Sequence, residues 1–258
     1  MRYIYGWAFA FLFFAFSETL LAQGPPITGD KPIMLGQSNL VVKTLTEIRE
    51  TESGRFIKMP LMGHYLLTSN FLVGVHLPFV TTNGIYEQKT TNLGDVELLA
   101  KYQFYQKDQT GKTLRMIVKT LQTLPTGQKR NLPGISTGLY QNYIGTLLGY
   151  ESIRYGFSSE IGYNLVPNGD LDELRLKLGF GLPLLKPTYP VNQINLFFEY
   201  QSSWFTEKDH YLLLYAQGIQ YAKGRFTLES AIQFPLIDTG PDFEHRKYSL
   251  FLGTRYVF

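Results

Sequence analysis

The clearest alternation of apolar and polar residues lies within Leu171 to Leu182. Leu174, Leu176, Leu178, Phe180 and Leu182 fall on one side, and Glu173, Arg175, Lys177, Gly179 and Gly181 on the other. A helix turns 100° per residue and would scatter both sets around its circumference, whereas a strand separates them. The same grammar recurs over Asp95–Tyr105, Tyr155–Leu165, Ile194–Trp204 and Phe226–Leu236, with aromatic residues often at the ends of the apolar stripes. Weaker alternation marks Gln37–Thr46, Phe56–Leu67, Phe71–Val80, Thr113–Thr123, Gly138–Tyr150 and Tyr211–Tyr221. With the last residues of the chain, the pattern predicts twelve strands. Ten or fourteen stay open, because the region before Leu40 and the Gly138 segment are ambiguous. A soluble sandwich and a membrane barrel both show such stripes, so the strands alone do not choose between them.

The two ends of the chain favour the barrel. The closing residues Tyr248 to Phe258 place Leu250, Leu252, Thr254 and Tyr256 at every second position and stop on Phe258. A transmembrane barrel closes its last strand against its first and leaves no open edge in lipid. Leu250, Leu252, Tyr256 and Phe258 are therefore the expected C-terminal assembly signal, read by a barrel-assembly machinery. At the other end Arg2 precedes the apolar run Trp7 to Phe16, which Ser17-Glu18 breaks before Leu20-Leu21-Ala22. That is the layout of a secretory signal peptide. The run is too short to span a bilayer as a helix, which takes about 20 residues. The expected organisation is a signal peptide over residues 1–22, cut near Ala22, and one barrel over residues 23–258.

Composition then removes alternatives. There is no cysteine, so an exported fold here is not disulfide-stapled. Lys and Arg number 24 against 21 Asp and Glu, which gives no basic field for nucleic acid. The 18 Tyr and 19 Phe are many for a globular domain and suit the aromatic girdles of a barrel. Mean hydropathy is −0.09, and no later apolar run approaches the length of a helical span. The expected fold class is all-β, a closed transmembrane antiparallel barrel in the bacterial outer membrane. Predicted connections alternate in length. Those near Glu47–Arg55, Thr81–Leu93, Pro125–Ser136, Pro167–Asp170, Thr206–His210 and Asp238–Lys247 are assigned to the outer end. Those near Thr68–Asn70, Lys107–Lys112, Glu151–Arg154, Leu185–Asn192 and Ala222–Arg225 are assigned to the inner end. Long outer loops and short inner turns are the barrel rule, and Leu185–Asn192 is longer than it expects.

Charges on the non-lipid stripe are the candidate site. They are Glu97, Lys101, Arg115, Lys119, Glu160, Glu173, Arg175, Lys177, Glu199, Glu229 and Arg255. A Lys or Arg facing lipid at mid-membrane costs roughly 2–4 kcal/mol. Turning all the basic members outward would cost on the order of ten kcal/mol or more, comparable with a whole folding stability. These groups are therefore expected to face the lumen, where opposite signs can pair across strands. About eight strands give an interior that side chains fill and sixteen give an open channel. Twelve lies between, so the lumen is either a narrow charged pore or one plugged by residues before Leu40 or by inward-folded loops.

Three pieces carry a family resemblance. Asn92-Leu93-Gly94-Asp95-Val96-Glu97-Leu98 runs into Lys101-Tyr102, Leu124-Pro125-Thr126-Gly127 follows, and Arg255-Tyr256-Val257-Phe258 closes the chain. The set resembles the outer-membrane barrels grouped as transporters of the meta-pathway of phenol degradation. The resemblance implies passage of small, often aromatic solutes. The same motifs also have plain physical roles. Gly94-Asp95 can start a strand with the Asp side chain capping backbone N–H groups, and Pro125-Thr126-Gly127 is turn chemistry at a loop mouth.

Catalytic and metal chemistry find little support. His64, His76, His210 and His245 have no metal-ligand spacing partner, although His64 and His76 fall in adjacent predicted strands. No nucleophile elbow or phosphate-binding loop occurs. Ser202, Ser203 and His210 are the nearest approach to a rim-site hydrolase. The expectation is a non-enzymatic channel for passive uptake of small, hydrophobic or aromatic solutes, without cofactor or metal. Its expected partners are outer-membrane lipid, the assembly machinery and the solute, and no nucleic acid. The alternative is a non-conducting barrel that serves as a structural or partner-binding element.

Overall fold

A computed structural model describes residues 26–30, 34, 39–84, 89–127, 136–167, 172–186, 188, 190–207, 209–240 and 245–258. The expected signal peptide, residues 1–22, lies outside the described residues, as do positions 37 and 38 of the first expected strand. The strands are β1 (Leu40–Thr51), β2 (Gly54–Leu66), β3 (Phe71–Gly84), β4 (Thr90–Leu93), β5 (Val96–Gln109), β6 (Lys112–Leu124) and β7 (Gln141–Ser152). They continue as β8 (Gly156–Leu165), β9 (Glu173–Pro183), β10 (Asn192–Phe205), β11 (His210–Lys223), β12 (Phe226–Asp238) and β13 (Arg246–Val257). Each is antiparallel to its neighbours, and β1 pairs with β13 from Val41↔Val257 to Thr51↔Arg246. With β2 paired to both β1 and β3, the sheet closes on itself as a barrel. β4 and β5 both pair with β3 and together make one wall position, so the barrel has twelve strands.

The wall is two-faced in the way the charges require. Outward positions are apolar and exposed through the middle of the strands: Leu61 at 49%, Ile144 at 56%, Ile161 at 56% and Leu252 at 54%. Exposed apolar surface of this extent around a whole sheet is stable against hydrocarbon and not against water. Aromatics gather outward near the end where β1 begins, among them Tyr65, Tyr102, Tyr155, Tyr221 and Phe226. Tyr256 and Phe258 join them edge to face at 4.7 Å. Phe258 N–H donates to the Leu40 carbonyl at 2.9 Å and ties the last residue to the first strand. Leu250, Leu252, Tyr256 and Phe258 all lie on the outward face.

The ends of the barrel differ. Where β1 begins, the hairpins are residues 67–70, 110–111, 153–155, 184–191 and 224–225. The two shortest place Gly111 (φ 72) and Gly224 (φ 57) in the left-handed region that tight hairpins need. At the opposite end the turn Glu52-Ser53 is short, while the strands stop and resume across wider intervals, from Leu124 to Gln141, from Leu165 to Glu173 and from Asp238 to Arg246.

Two expected loops are instead largely strand. The segment read as a connection over Glu47–Arg55 is β1 and β2 apart from Glu52 and Ser53. The segment Thr81–Leu93 extends β3 and supplies β4, with Thr81 and Thr91 hydroxyls 2.9 Å apart across the ladder. Thr reads as polar in an apolar pattern, but its branched Cβ suits a strand. The strand expected from Gly138 starts at Gln141, since Gly138 itself takes φ 63.

A proline seam interrupts the ladders. Pro60 of β2 and Pro78 of β3 are cross-strand partners. A proline has no N–H to donate. Opposite Pro60 the β1–β2 pairing lapses between Thr44↔Leu61 and Glu47↔Lys58. Opposite Pro78 the wall breaks at Gly94-Asp95, between β4 and β5. Asp95 closes the break from its other side. Its carboxylate accepts from Gly127 N–H at 2.9 Å, Ser136 Oγ at 2.6 Å and Thr137 N–H at 3.2 Å, gathering both ends of the β6–β7 connection. A Cβ on Gly127 would stand 2.8 Å from the Gly94 carbonyl carbon, so this approach needs a glycine.

Candidate functional site

The centre of the barrel is occupied by the chain itself. Residues Pro26–Asp30 and Met34 precede β1 and lie inside the wall. Burial of Ile27 and Met34 is nearly complete, at 3% and 6% exposure. Ile27 packs with Phe197, Ala231, Phe251 and Leu45, and Met34 packs with Leu66, Leu72, Leu99, Ile117 and Leu147. A Cβ on Gly218 would come 2.5 Å from the Ile27 side chain, so that glycine leaves the hollow Ile27 fills.

Polar contacts hold the same stretch at both of its flanks. The Glu199 carboxylate of β10 accepts N–H bonds from Ile27 at 2.6 Å, Thr28 at 2.9 Å and Gly29 at 3.0 Å, as well as the Thr28 hydroxyl. Successive backbone N–H groups converging on one anion form a nest, and such charge-assisted bonds are the strong ones. Lys177 of β9 donates to the Thr28 carbonyl at 3.3 Å, and Arg115 of β6 donates to the Met34 carbonyl at 3.2 Å. Asp30 ion-pairs with Lys101 of β5 and, at 3.1 Å, with Lys119 of β6.

The remaining inward charges are mostly paired with one another. Lys119 also meets Glu160 at 2.5 Å, and Glu160 accepts the Tyr143 hydroxyl at 2.6 Å. The ring of Tyr143 lies over Gly145 and Gly162, cross-strand partners without side chains, and that space lets its hydroxyl reach Glu160. Arg175 holds Glu173 at 2.6 Å and stands over the Tyr143 ring at 5.2 Å. Arg255 donates to Thr227 at 2.9 Å, and Glu229 accepts from Gln220 at 2.9 Å. Glu97 sits between Lys58 at 2.9 Å and His76 at 2.9 Å. All eleven sequence-selected charges thus stand on the inner side of their strands. Five of them, Lys101, Arg115, Lys119, Lys177 and Glu199, touch the N-terminal stretch directly.

Several inner groups escape the alternation read from sequence. Lys43, Glu47 and Arg49 occupy alternate inward positions of β1, where Glu47 and Arg49 meet at 2.8 Å. A period-2 count carried past Thr46 would have found Glu47 and Arg49. His64 and His76 do meet, Nε2 to Nε2 at 2.8 Å, over Gly74, whose absent side chain leaves room for the His64 ring. Among the described residues no group of three or more His, Cys, Asp and Glu is arranged to hold a metal. The rim candidates do not assemble. Ser202 faces outward to the Tyr211 hydroxyl at 3.2 Å, Ser203 is buried inward at 1% exposure, and His210 pairs with Asp238 at 3.0 Å.

The sequence matches no protein-family model and no curated protein. Solved structures do resemble the fold. The COG4313 outer membrane channel from Pseudomonas putida F1 superposes with a TM-score of 0.65 over 90% of this chain and 100% of that one, at 13% identity. The KdgM porin, solved in complex with disordered oligogalacturonate, superposes with a TM-score of 0.55 over 84% of this chain and 99% of that one, at 9% identity. At such identities the likeness is one of fold, and that fold is the closed antiparallel barrel of outer-membrane channels and porins.

Proposed function

We propose that this chain is a bacterial outer-membrane channel for passive diffusion of small solutes, and that its N-terminal stretch is the element that yields to open it. The observation that carries the reading is the separability of the occupant. The lumen is filled at its centre by Pro26–Asp30 and Met34, which belong to no wall strand and are held without a covalent bond. Withdrawing them leaves a twelve-stranded wall lined with charged, amide and Tyr groups beside the apolar seats of Ile27 and Met34, a width between a side-chain-filled barrel and an open porin. Mixed charge signs on the wall favour weak ion selectivity. Small hydrophobic or aromatic solutes are the preferred class through the sequence resemblance to the meta-pathway barrels. Leu250, Leu252, Tyr256 and Phe258 form the signal by which the assembly machinery takes the closing strand. No cofactor is needed for such passage.

The same occupancy favours a second reading, a non-conducting barrel whose interior is a packed core. Single-channel recording in planar bilayers separates the two. The chain starting after the signal peptide is compared with one starting at Asn39. The expected result is rare or small openings in the longer chain and steady current in the shorter one. No current in either, with both chains folded, would establish the non-conducting barrel.

A further inference from the structure

We infer that the Lys101–Lys119 pair is a carboxylate-binding site for an apolar-bodied solute, and that Asp30 occupies it in the resting state as an internal stand-in. The inference rests on the channel reading above and gives it a ligand class. Lys101 and Lys119 are direct cross-strand partners on β5 and β6, so two ammonium groups reach one point in the lumen. Asp30 supplies the carboxylate they share. Their side chains are 4% and 9% exposed, so they are built into the wall and are not surface lysines reaching in.

Charge balance shows what the site requires. Asp30 is the carboxylate both lysines share, and Glu160 is the wall carboxylate paired with Lys119. With Asp30 in place the two lysines meet two carboxylates. When the N-terminal stretch withdraws they meet one, and Lys101 is left without an ion-pair partner among the described residues. Like charges held together out of bulk water are costly. A vacated site therefore favours an incoming anion, and the present occupant shows that the geometry suits a carboxylate.

What adjoins the lysines sets the rest of the ligand. Leu72 is the cross-strand partner of Lys101, and Leu99 is the next inward residue on the same strand. They belong to the apolar seat that now holds Met34. The N-terminal stretch thus presents an acid and an apolar side chain four residues apart to a basic pair and an apolar cluster lying side by side. A small organic acid with an aromatic or aliphatic body matches both halves.

Titration calorimetry on detergent-solubilised full-length mature protein tests this with benzoate, its neutral isostere benzamide, and acetate. In Asp30→Asn, benzoate is expected to bind roughly tenfold more tightly than in the native chain, since the competing internal carboxylate is gone. Benzamide and acetate are expected to bind more weakly than benzoate, and Asp30→Asn combined with Lys101→Met and Lys119→Met is expected to lose benzoate. The chain starting at Asn39 empties the site by a second route and should behave as Asp30→Asn does, which covers a failure of that variant to fold. Benzoate binding no tighter in either vacated chain than in the native one would overturn the inference. So would benzamide or acetate binding as tightly as benzoate, or retention of benzoate by the triple variant. Binding is read without any current. Benzoate binding in a barrel that never conducts would refute the channel reading alone, and a conducting barrel indifferent to benzoate would refute the site alone.

Discussion

Glu199→Ala should turn a mostly closed barrel into a mostly open one. Glu199 receives three backbone N–H groups and a hydroxyl from residues Ile27 to Gly29. Hydrogen bonds to a charged group contribute about 1.5–3 kcal/mol each to a net balance. Water entering the lumen will satisfy part of what is lost, so a loss of about 3 kcal/mol for the whole cradle is a conservative sum. That corresponds to roughly a hundredfold change in the ratio of open to closed channels. The wall is not at risk, because Glu199 takes part in the ladder through its backbone, which pairs with Gly179 and Ala216 regardless of side chain. Glu199→Gln keeps an acceptor and loses the charge, so its effect should be smaller, about tenfold. Open probability in planar bilayers reads both variants. Equal open probability in native, Gln and Ala chains would remove the cradle from the gating account.

Ile161→Arg should cost about 2–4 kcal/mol in refolding into lipid vesicles. Ile161 sits in the middle of β8, 56% exposed, between Thr146 of β7 and Leu176 of β9 on the outward face. In hydrocarbon a guanidinium there has neither water nor a partner. Its neighbour Glu160, one residue away, is nearly fully buried and paired with Lys119. A one-residue step along a strand thus reverses the environment, as a two-residue period requires. The loss would be a large part of a typical stability of about 5–15 kcal/mol. On a water-facing sheet the same substitution would change stability by no more than about 0.5 kcal/mol. Equilibrium unfolding in urea from vesicles gives the value, and a near-zero change would place that face in water.

The wall was legible in the sequence because its signal is local. Leu174, Leu176 and Leu178 against Glu173, Arg175 and Lys177 state the register within six residues, and the cost of a misplaced charge settles which side faces in. Legibility failed where residue chemistry and conformation part company. Thr81, Thr82, Thr90 and Thr91 look like loop and build strand. Pro60 and Pro78 interrupt ladders that still align around them. Asp95, by contrast, caps backbone N–H groups as its place after Gly94 suggests, although its partners Gly127 and Thr137 lie on the far side of the next strand.

The occupant of the lumen had no such signal. Pro26-Ile27-Thr28-Gly29-Asp30 has no period and no length to mark it as a structural element. Its partners are distant in the chain: Glu199 lies 170 positions beyond Gly29, and Lys101 lies 71 beyond Asp30. Pairing at that range is set by closure of the barrel and by nothing in either segment alone. The alternation did show that the interior carries balanced charge, and so that something polar could be held there. It could not say that one carboxylate in the middle would come from outside the wall.

The lumen can be locked by chemistry, because the chain contains no cysteine and an introduced pair is unique. A Cβ built on Gly179 of β9 stands 3.3 Å from the Pro26 Cβ, just under the separation a disulfide spans, and needs the Ser158 hydroxyl, 2.6 Å away, to turn aside. The double variant Pro26→Cys, Gly179→Cys should form an intramolecular disulfide on oxidation. In a planar bilayer its current should fall to the closed level while the bond is intact and rise when a reductant is added, with both single variants indifferent to redox state. Failure of the bond to form, or equal conductance of the oxidised and reduced protein, would contradict a barrel whose passage is governed by its own N-terminal stretch.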